Sequence, residues 1–392
     1  MSDLPPIAQR MAGIRPFYVM ELLARARELE QAGRSIIHME VGEPDFPTPE
    51  PVIQAGRQAL EDGHTHYLPA LGLPELRERI ANFYSSHYGV SVGPSRVIVT
   101  PGASGALQLA MSILIDPGTS VLMADPGYPC NRHFVHLLGG EAVNIPVGAD
   151  SGYQLTAKRV EQAWREDTRA VMVASPSNPT GTLLSSDELR AIHKAVRARG
   201  GILIVDEIYQ GLVYGDDSST ALAISDDLLV INSFSKYFGM TGWRLGWMVA
   251  PEPYVEAIER LAQNIFLSAP TPAQYAALAA FEPETLAILE QRRQAFQERR
   301  DYLLPALQEL GLAFGGTPQG AFYLYADCSA FTDDTYRFCQ DLLEQEGVAA
   351  TPGKDFGFNQ PERYVRFAYT TEIPKLEEGV RRLGRFLRRE GS

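Results

Sequence analysis

Short apolar runs alternate along most of this chain with longer segments of helical periodicity. Seven runs rich in Val, Ile, Leu and Ala predict β-strands, at residues 97–100, 121–124, 142–147, 170–174, 202–205, 228–231 and 245–250. Helical segments such as 103–114 and 186–199 separate several of these strands. Short buried strands spaced by helices predict an α/β fold with a mostly parallel seven-stranded sheet between helices. The last strand follows its predecessor after only a turn-like segment, so an antiparallel direction is open to it.

Both ends of the chain differ from this middle region. Apolar positions in residues 18–32 predict an amphipathic helix closed by Gly33, and a short strand, 36–39, follows. Thr48 and Pro49 predict the N-cap and the first position of the next helix. Beyond about Glu282 we expect a long helix from Leu286 to Leu307 that bends at Pro305, strands at 321–325 and 364–368, and helices at 334–346 and 373–389. The division expected is an N-terminal arm that joins the small domain (1–45), a large domain (46–282) and a small α+β domain (283–392).

Composition narrows the class of protein. The 392 residues suffice for two domains, and a net charge of −13 argues against nucleic acid as the main partner. The three cysteines, Cys130, Cys328 and Cys339, form neither a metal-binding pair nor a disulfide framework, which favours reduced thiols in a cytoplasmic protein. The N-terminus has no signal-peptide pattern, and no apolar run approaches the roughly 18 residues of a membrane span. We expect no metal, nucleic acid or membrane partner.

Five segments with candidate chemistry each follow a predicted strand directly. They are residues 100–105, 125–129, 175–181, 206–209 and 232–236. Ligands of open α/β sheets bind beyond the carboxyl ends of the strands. The agreement of five segments at this position predicts one ligand site, and it weighs more than any single motif.

The first two segments have ordinary explanations when each is taken alone. Gly102, Ala103 and Ser104 leave a strand and open a helix, so backbone N–H groups and the helix dipole can face a phosphate. A tight turn between strand and helix is the commoner meaning of such a segment. Tyr128 can stack on a flat heterocycle, although a tyrosine in a turn usually serves packing.

The third and fourth segments offer polar partners for an aromatic ring. Asn178 can hydrogen-bond a ring hydroxyl, while Asn-Pro-Thr-Gly is also a good turn for conformational reasons alone. Asp206 ends a buried strand, where its carboxylate needs a positive or donor partner to offset desolvation. A protonated ring nitrogen meets that need, and helix capping explains an aspartate there equally well. Tyr209 can reach an oxygen of the same ring.

The fifth segment places a lysine amine among phosphate ligands. Lys236 can form a Schiff base with an aldehyde, and Ser233, Ser235 and Arg244 suit a phosphate dianion. Pyridoxal 5′-phosphate carries both groups. Lys236 lies one predicted helix and one strand after Asp206, so the two side chains are expected on neighbouring strand ends. A solvated surface lysine is the usual alternative, and the surrounding hydroxyls, arginine and aromatic residues disfavour it.

Together these segments resemble the class I and II aminotransferases, pyridoxal 5′-phosphate enzymes of fold type I, over a stretch from Gly42 to Arg366. The resemblance implies that the large domain binds the cofactor, with Lys236 as the Schiff-base lysine. It implies the following further roles: Asp206 as partner of the ring nitrogen, Asn178 and Tyr209 as ligands of the ring oxygen, Tyr128 as the stacking aromatic, Gly102, Ala103, Ser104, Ser233, Ser235 and Arg244 around the phosphate, Tyr67 reaching the phosphate of a neighbouring subunit, and Arg366, Gly42 and Asn178 around the substrate carboxylate. Lys236, Asp206 and Tyr209 are the catalytic residues that it implies.

The activity implied is a ping-pong transfer of an amino group from an α-amino acid to a 2-oxo acid such as 2-oxoglutarate, in a homodimer with shared sites. Lys236 then acts as a base, so its pKa has to fall from the ordinary value of about 10.4, and cationic surroundings act in that direction. A C–S β-lyase of the same fold is the alternative. A cofactor-sensing regulator is disfavoured, because no basic helix-turn-helix segment precedes residue 40.

The amino donor is only partly constrained by the sequence. Segment 102–108 has no Lys or Arg, unlike one branch of aspartate-type enzymes, and this favours a donor with a neutral, apolar or aromatic side chain. Residues 14–18 can close over the substrate, with Tyr18 lining its pocket. Simple packing of the N-terminal arm explains these residues equally well.

Overall fold

The computed structural model describes residues 4–215 and 219–390 of the chain. At its centre lies a sheet of seven strands, whose bounds are β2 (Val97–Thr100), β3 (Ser120–Asp125), β4 (Glu141–Pro146), β5 (Thr168–Ala174), β6 (Ile202–Asp206), β7 (Leu229–Ser233) and β8 (Gly246–Val249). Their order across the sheet is β2-β8-β7-β6-β5-β3-β4. β8 pairs antiparallel with both β2 and β7, and the remaining pairs are parallel. The α/β fold and the antiparallel last strand are therefore confirmed.

Successive residues of the central strands enter two separate apolar cores. In β6, Leu203 and Val205 pack into one core, and Ile202 and Ile204 pack into the other. This alternation follows from the two-residue period of a strand, and it buries both faces of the sheet. Because both faces of the sheet are buried, the strands appear in the sequence as nearly continuous apolar runs.

Helices cover both faces of the sheet and build the ends of the chain. Their bounds are α1 (Tyr18–Gln31), α2 (Glu50–Glu61), α3 (Pro74–Tyr88), α4 (Gly102–Leu114), α5 (Pro129–Leu137), α6 (Ala157–Ala163), α7 (Ser186–Arg197), α8 (Glu252–Ile265), α9 (Thr271–Leu278), α10 (Pro283–Glu309), α11 (Thr335–Glu346) and α12 (Ile373–Glu390). The expected long helix is α10, which continues through Pro305. No helix within residues 4–215 and 219–390 is long and apolar enough to cross a membrane.

Two smaller sheets hold the C-terminal part of the chain. The remaining strands are β1 (Ile37–His38), β9 (Tyr323–Asp327), β10 (Val348–Ala349), β11 (Thr351–Pro352) and β12 (Tyr364–Ala368). β11, β12 and β9 form an antiparallel sheet, and β1 pairs in parallel with β10. Arg25 of α1 also forms an ion pair with Glu344 of α11 at 2.6 Å. These contacts support an N-terminal segment that joins the small domain, although the domain limits themselves stay predictions.

Two local expectations are wrong. Thr48 does not cap a helix, because α2 begins at Glu50 and its N-cap is Pro49. The Thr48 hydroxyl instead donates to the Gly239 carbonyl (2.8 Å) and accepts from the indole N–H of Trp243 (3.0 Å), so it ties the loop before α2 to the segment after β7. Between β6 and β7, where a helix was expected, the described residues contain only a 3₁₀ turn at Ala221–Ala223.

Candidate active site

The sheet topology brings the five predicted segments to one edge. β2, β3, β5, β6 and β7 run in the same direction, so their carboxyl ends share that edge. Asp206 is the last residue of β6, and Lys236 follows the last residue of the adjacent β7 by three positions. The prediction that these two residues lie on neighbouring strand ends is confirmed.

A cavity of about 770 Å³ opens at this edge. Most of the predicted site residues line it, namely Gly42, Ala103, Ser104, Tyr128, Asn178, Asp206, Tyr209, Ser233, Ser235, Lys236, Arg244 and Arg366. Three predicted residues, Gly102, Tyr18 and Tyr67, lie outside this lining. The structure thus unites side chains from positions 42 to 366 around one space.

Two ionisable groups lie on the sheet side of the cavity, Asp206 buried and Lys236 half-buried. The Lys236 ammonium donates to the carbonyl oxygen of Gly42 at 2.6 Å. Burial lowers the pKa of Lys236 to about 8; Glu43 opposes this change, and Arg366 and Arg244 add to it. The expected fall in pKa therefore occurs in the described structure, with desolvation as the main cause and the cations as a lesser one.

Asp206 is a carboxylate with few partners. Its side chain is 5% exposed and accepts one hydrogen bond among the described residues, from the Ile208 N–H at 3.1 Å. Burial raises the pKa of Asp206 to about 6, while that N–H and the Lys236 charge act in the opposite direction. Helix capping does not account for this aspartate, because the described residues between β6 and β7 contain no α-helix. Its position favours a ligand that donates a proton or carries positive charge.

Tyr209 is joined to a tyrosine of the small sheet that the sequence did not single out. The hydroxyl groups of Tyr209 and Tyr323 are 2.7 Å apart, and both side chains are almost completely buried. A β-carbon added to Gly42 would lie 2.1 Å from the Tyr323 hydroxyl, so only glycine fits at that point. No local signal marks Tyr323, since aromatic residues are common in strands.

Arg366 sits at the small-domain side of the cavity with its guanidinium held from several directions. Its Nη1 donates to Asn178 Oδ1 (2.8 Å), and its Nη2 donates to the Glu40 carbonyl (2.6 Å). The guanidinium lies 4.3 Å from the centre of the Tyr323 ring and 4.8 Å from that of Phe356. Nε has no hydrogen-bond partner among the described residues. This fixed cation with a free donor suits a carboxylate.

A second group of donors surrounds the N-terminus of α4. The helix has no side-chain cap, so the first N–H groups remain available. Gly102, with φ of 68°, leaves room for Arg244, whose Nη2 a β-carbon on Gly102 would approach to 2.5 Å. Ser233 and Ser235 lie beside each other, with their hydroxyl oxygens 3.0 Å apart. Free amides, two hydroxyls and a guanidinium form a donor set suited to a phosphate.

Tyr18 does not line this cavity, but it lines a smaller one beside it. Its backbone N–H donates to Asp355, and its ring packs on Tyr336 with 4.8 Å between the centroids. The neighbouring Phe17 lines the cavity in its place and lies 6.4 Å from the Tyr128 ring. Since Phe17 precedes the first turn of α1, the two side chains leave the backbone in different directions.

Tyr67 points away from the cavity of its own chain. It is 80% exposed, which is unusual for a large aromatic side chain. Other lining residues that the sequence did not single out are Val19, Met20, Val41, Glu43, Leu107, Pro129, Thr351, Asp355 and Phe356. Most are apolar residues that become functional only through their place in the fold.

Comparison with known proteins identifies the family. The sequence profile described as aminotransferase class I and II matches residues 34–383. This match covers most of the chain, which therefore belongs to the class I and II aminotransferases. The resemblance inferred from the motifs is confirmed.

Individual relatives agree with this assignment over nearly their whole length. A valine–pyruvate aminotransferase of Mycobacterium tuberculosis is 40% identical over 378 residues, covering 96% of this chain and 97% of the relative. A (5-formylfuran-3-yl)methyl phosphate transaminase of Methanocaldococcus jannaschii is 37% identical, with 97% and 99% covered. The crystal structure of an aminotransferase from M. tuberculosis superimposes with a TM-score of 0.95 at 39% identity, with 98% and 100% covered.

Proposed function

We propose that this aminotransferase uses pyridoxal 5′-phosphate to move an amino group from an α-amino acid with a neutral, apolar or aromatic side chain to a 2-oxo acid such as 2-oxoglutarate. The reaction is ping-pong. The observation that carries the proposal is the convergence of Asp206, Lys236 and Arg366 on one cavity. Each of these groups suits a different part of the chemistry.

The residues present fit the proposed cofactor. Asp206 is a buried carboxylate with a single N–H partner, and a protonated ring nitrogen supplies the second. The free amides of α4, with Ser233, Ser235 and Arg244, provide the donors that a phosphate requires. Tyr128 supplies an aromatic face, and Asn178 and Tyr209 supply polar groups for the ring oxygen. This donor set matches the cofactor part by part.

The bound cofactor supplies an electron sink for the carbanion formed at the substrate Cα. Arg366 holds the substrate carboxylate and so fixes which Cα bond faces the reacting atoms. Lys236 takes the Cα proton and returns it. With a pKa of about 8, roughly a tenth of its amine is free at pH 7, far more than at the ordinary pKa, and a general base requires the free amine.

The charge of the cavity supports a neutral amino donor. The cations in its lining are Lys236, Arg244 and Arg366, and each already has a role in the proposal. The lining also contains apolar side chains that a neutral donor can contact, among them Leu107 of α4 and Phe17 and Met20 of the N-terminal segment. Within the described part of this cavity, no further cation is left for an acidic donor side chain.

The exposed Tyr67 supports a homodimer with shared sites. A tyrosine that is 80% exposed in one subunit can reach the phosphate donors of a second, as a two-fold arrangement requires. The three cysteines are free thiols, which supports a cytoplasmic location.

The Lys236→Ala variant tests the proposal. In the native protein an amino donor given without acceptor is expected to release one equivalent of 2-oxo acid per site and to change the visible absorbance of the cofactor. Loss of the base should lower turnover at least ~10³-fold, since a positioned acid–base group contributes factors of this order. The matched control is Lys158→Ala on the exposed face of α6, which should retain activity.

Two results would contradict the proposal: a purified protein without pyridoxal absorbance, or a Lys236→Ala variant with full turnover. Release of pyruvate and ammonia from a cysteine-type donor, without formation of an aminated cofactor, would assign the chain to the C–S β-lyases instead.

A further inference from the structure

A second cavity of about 270 Å³ adjoins the first at its mouth. Phe17, Pro129 and Asp355 line both cavities, so the two spaces are direct neighbours. The second cavity lies between the N-terminal segment, the beginning of α5 and the loop that follows β11. None of the predicted cofactor ligands lines the second cavity. It is therefore available to a part of the substrate that lies away from the cofactor.

Two arginines meet on one aromatic ring in this second cavity. The guanidinium carbons of Arg15 and Arg132 lie 5.0 and 5.1 Å from the centre of the Phe358 ring. Each contact is favourable by itself, but the two like charges repel. Phe358 is 51% exposed, so the ring is a platform at the surface and not a core residue. An anion between the guanidiniums would remove the repulsion.

The acids near these arginines are already engaged. The carboxylate of Asp355 accepts the N–H groups of Tyr18 (2.8 Å) and Val19 (2.9 Å) at the start of α1. Glu141, the other acid of the lining, forms an ion pair with Arg165 at 2.6 Å. The charges of Asp355 and of the nearby Asp125 act on Arg132. The Asp125 carboxylate, however, is bonded to the backbone N–H groups of Phe358 and Asn359, and neither it nor the Asp355 carboxylate forms an ion pair with Arg132 or Arg15 among the described residues.

The arginines also retain unused donors. Arg132 gives one N–H to the carbonyl oxygen of Asp355 (2.8 Å), and Arg15 donates to no acceptor among the described residues. Lys354, a further cation of the lining, is paired with Asp334 at 2.9 Å. Burial and the nearby Arg132 lower the pKa of His133, which disfavours a charge on its ring. The free positive charge of this cavity therefore belongs to Arg15 and Arg132.

One loop connects this pair with the carboxylate-binding arginine. Arg132 is bonded to the carbonyl of Asp355, and the guanidinium of Arg366 lies on the ring of the next residue, Phe356. The two guanidiniums thus contact adjacent residues of one short segment. A molecule held by Arg366 at one end can extend along this segment towards Arg132.

We propose that Arg132 and Arg15 form a second anion-binding subsite, which holds the distal carboxylate of a dicarboxylic 2-oxo acid whose first carboxylate is bound by Arg366. This inference rests on the proposed aminotransferase function and specifies its acceptor. An apolar donor stays in the inner cavity, where no spare cation lies. An acidic acceptor reaches the mouth, so one active site accommodates both substrates.

The test compares acceptors that differ only in distal charge. 2-Oxoglutarate and 2-oxopentanoate have the same chain length, and only the first has a second carboxylate. In Arg132→Gln we expect the KM for 2-oxoglutarate to rise roughly 10- to 150-fold, the range for a lost charged hydrogen bond. The KM for 2-oxopentanoate and both kcat values should stay within about twofold. Arg15→Gln should show the same selectivity with a smaller rise, because Arg15 is exposed.

Binding without turnover separates this proposal from the proposed function. The dissociation constants of glutarate and pentanoate for the cofactor-loaded protein, measured by calorimetry, should show the same contrast, and Arg132→Lys should restore part of the glutarate affinity. The matched control is Arg10→Gln, since Arg10 also joins the N-terminal segment to α5, through the Leu137 carbonyl, yet does not line the cavity.

Three outcomes would overturn the subsite. They are equal affinity of the native protein for glutarate and pentanoate, an equal loss for both ligands in Arg132→Gln, and a loss in Arg10→Gln as large as that in Arg132→Gln. The first would leave the aminotransferase proposal intact. Failure of any amino donor to release its 2-oxo acid would contradict the aminotransferase proposal and not these binding results.

Discussion

The inner wall and the mouth of the active-site cavity differ in solvent exposure and in the elements that form them. The inner wall consists of side chains at strand ends, where Asp206, Ser233 and Ser235 are 5%, 1% and 6% exposed. The mouth is formed by the N-terminal segment and the loop after β11, where Phe358 is 51% exposed and Arg15 is exposed as well. One region is fixed by the main sheet, and the other lies on connecting segments.

The two regions have different tasks, since one serves the chemistry common to all substrates and the other the choice among substrates. Charges on the inner wall have shifted pKa values, mainly because burial desolvates them. Such groups suit chemistry that every substrate shares. At the mouth, Arg15 keeps solvent contact, whereas burial lowers the pKa of Arg132. Both groups lie away from the reacting atoms, so they suit the choice among substrates. We therefore expect substitutions of the inner wall to affect all substrates, whereas Arg132→Gln affects only acidic ones.

After Lys236→Ala, Asp206→Asn should give the largest change on the inner wall. The variant keeps the shape of the side chain but loses the charge that holds a protonated ring nitrogen. A charged hydrogen bond contributes about 1.5–3 kcal/mol, so the affinity for pyridoxal 5′-phosphate should fall roughly 10- to 150-fold. Titration of the cofactor-free protein, followed by absorbance, measures this affinity. kcat should fall by a similar factor for every amino donor.

The neighbouring carboxylate provides the control. Glu207 is equally buried, but its oxygens accept hydrogen bonds from Thr220 (2.9 Å) and the Ala221 N–H (2.6 Å), on the far side of the segment. Glu207→Gln should therefore leave cofactor affinity unchanged. Equal loss of affinity in both variants would mean that Asp206 acts through the fold and not through the cofactor.

The inner wall is also the region that the sequence predicted best. Segments such as 206–209 and 232–236 follow apolar strands, and parallel strands bring their carboxyl ends together by topology alone. Residue type and position along a strand were enough to place Asp206, Asn178 and Lys236 around one cavity. The family match then confirmed the class of enzyme.

Arg366 was predicted on the small-domain wall, but other parts of that wall and of the mouth escaped prediction for physical reasons. Tyr323 acquires its role from a contact with Tyr209, 114 positions away along the chain, and no local pattern records such a contact. Tyr18 was expected in the cavity, but the direction of the first turn of α1 gives that place to Phe17. Thr48 resembles a helix cap, yet a tertiary bond to Gly239 uses its hydroxyl. Long-range contacts overrode local preference in each case.

The shifted pKa values predict how the cofactor-free protein responds to pH. The pKa of Asp206 rises from 3.8 to about 6, so its contribution to stability is complete below pH 4 and is lost as the pH rises through 6. The pKa of Lys236 falls from 10.5 to about 8, so its contribution is present at high pH and is lost as the pH falls through 8. Between pH 6 and 8 both groups are charged and at least half-buried, at a cost in stability.

Asp206→Asn should therefore stabilise the cofactor-free protein at pH 7. A shift of about two pKa units corresponds to at most about 3 kcal/mol, and the gain should vanish near pH 4, where native Asp206 is neutral. Urea unfolding of both proteins at the two pH values measures the difference. If the variant were less stable than the native protein at pH 7, burial of the charged Asp206 would not destabilise the fold. The inner wall would then carry no cost in folding free energy for its function.

Tyr323→Phe should have the smallest effect, because it removes one neutral hydrogen bond from the boundary between the two regions. The Tyr209 hydroxyl loses its 2.7 Å partner, while the ring beneath Arg366 remains. A neutral hydrogen bond contributes about 0.5–1.5 kcal/mol, so kcat/KM should fall roughly 2- to 12-fold, alike for neutral and acidic acceptors. Tyr325→Phe, two residues along β9 and outside the cavity lining, is the control and should change kcat/KM less than about twofold. If Tyr323→Phe lowered kcat/KM for 2-oxoglutarate and 2-oxopentanoate by different factors, Tyr323 would contribute to the choice of substrate. The residues that determine this choice would then include β9 and not only the mouth.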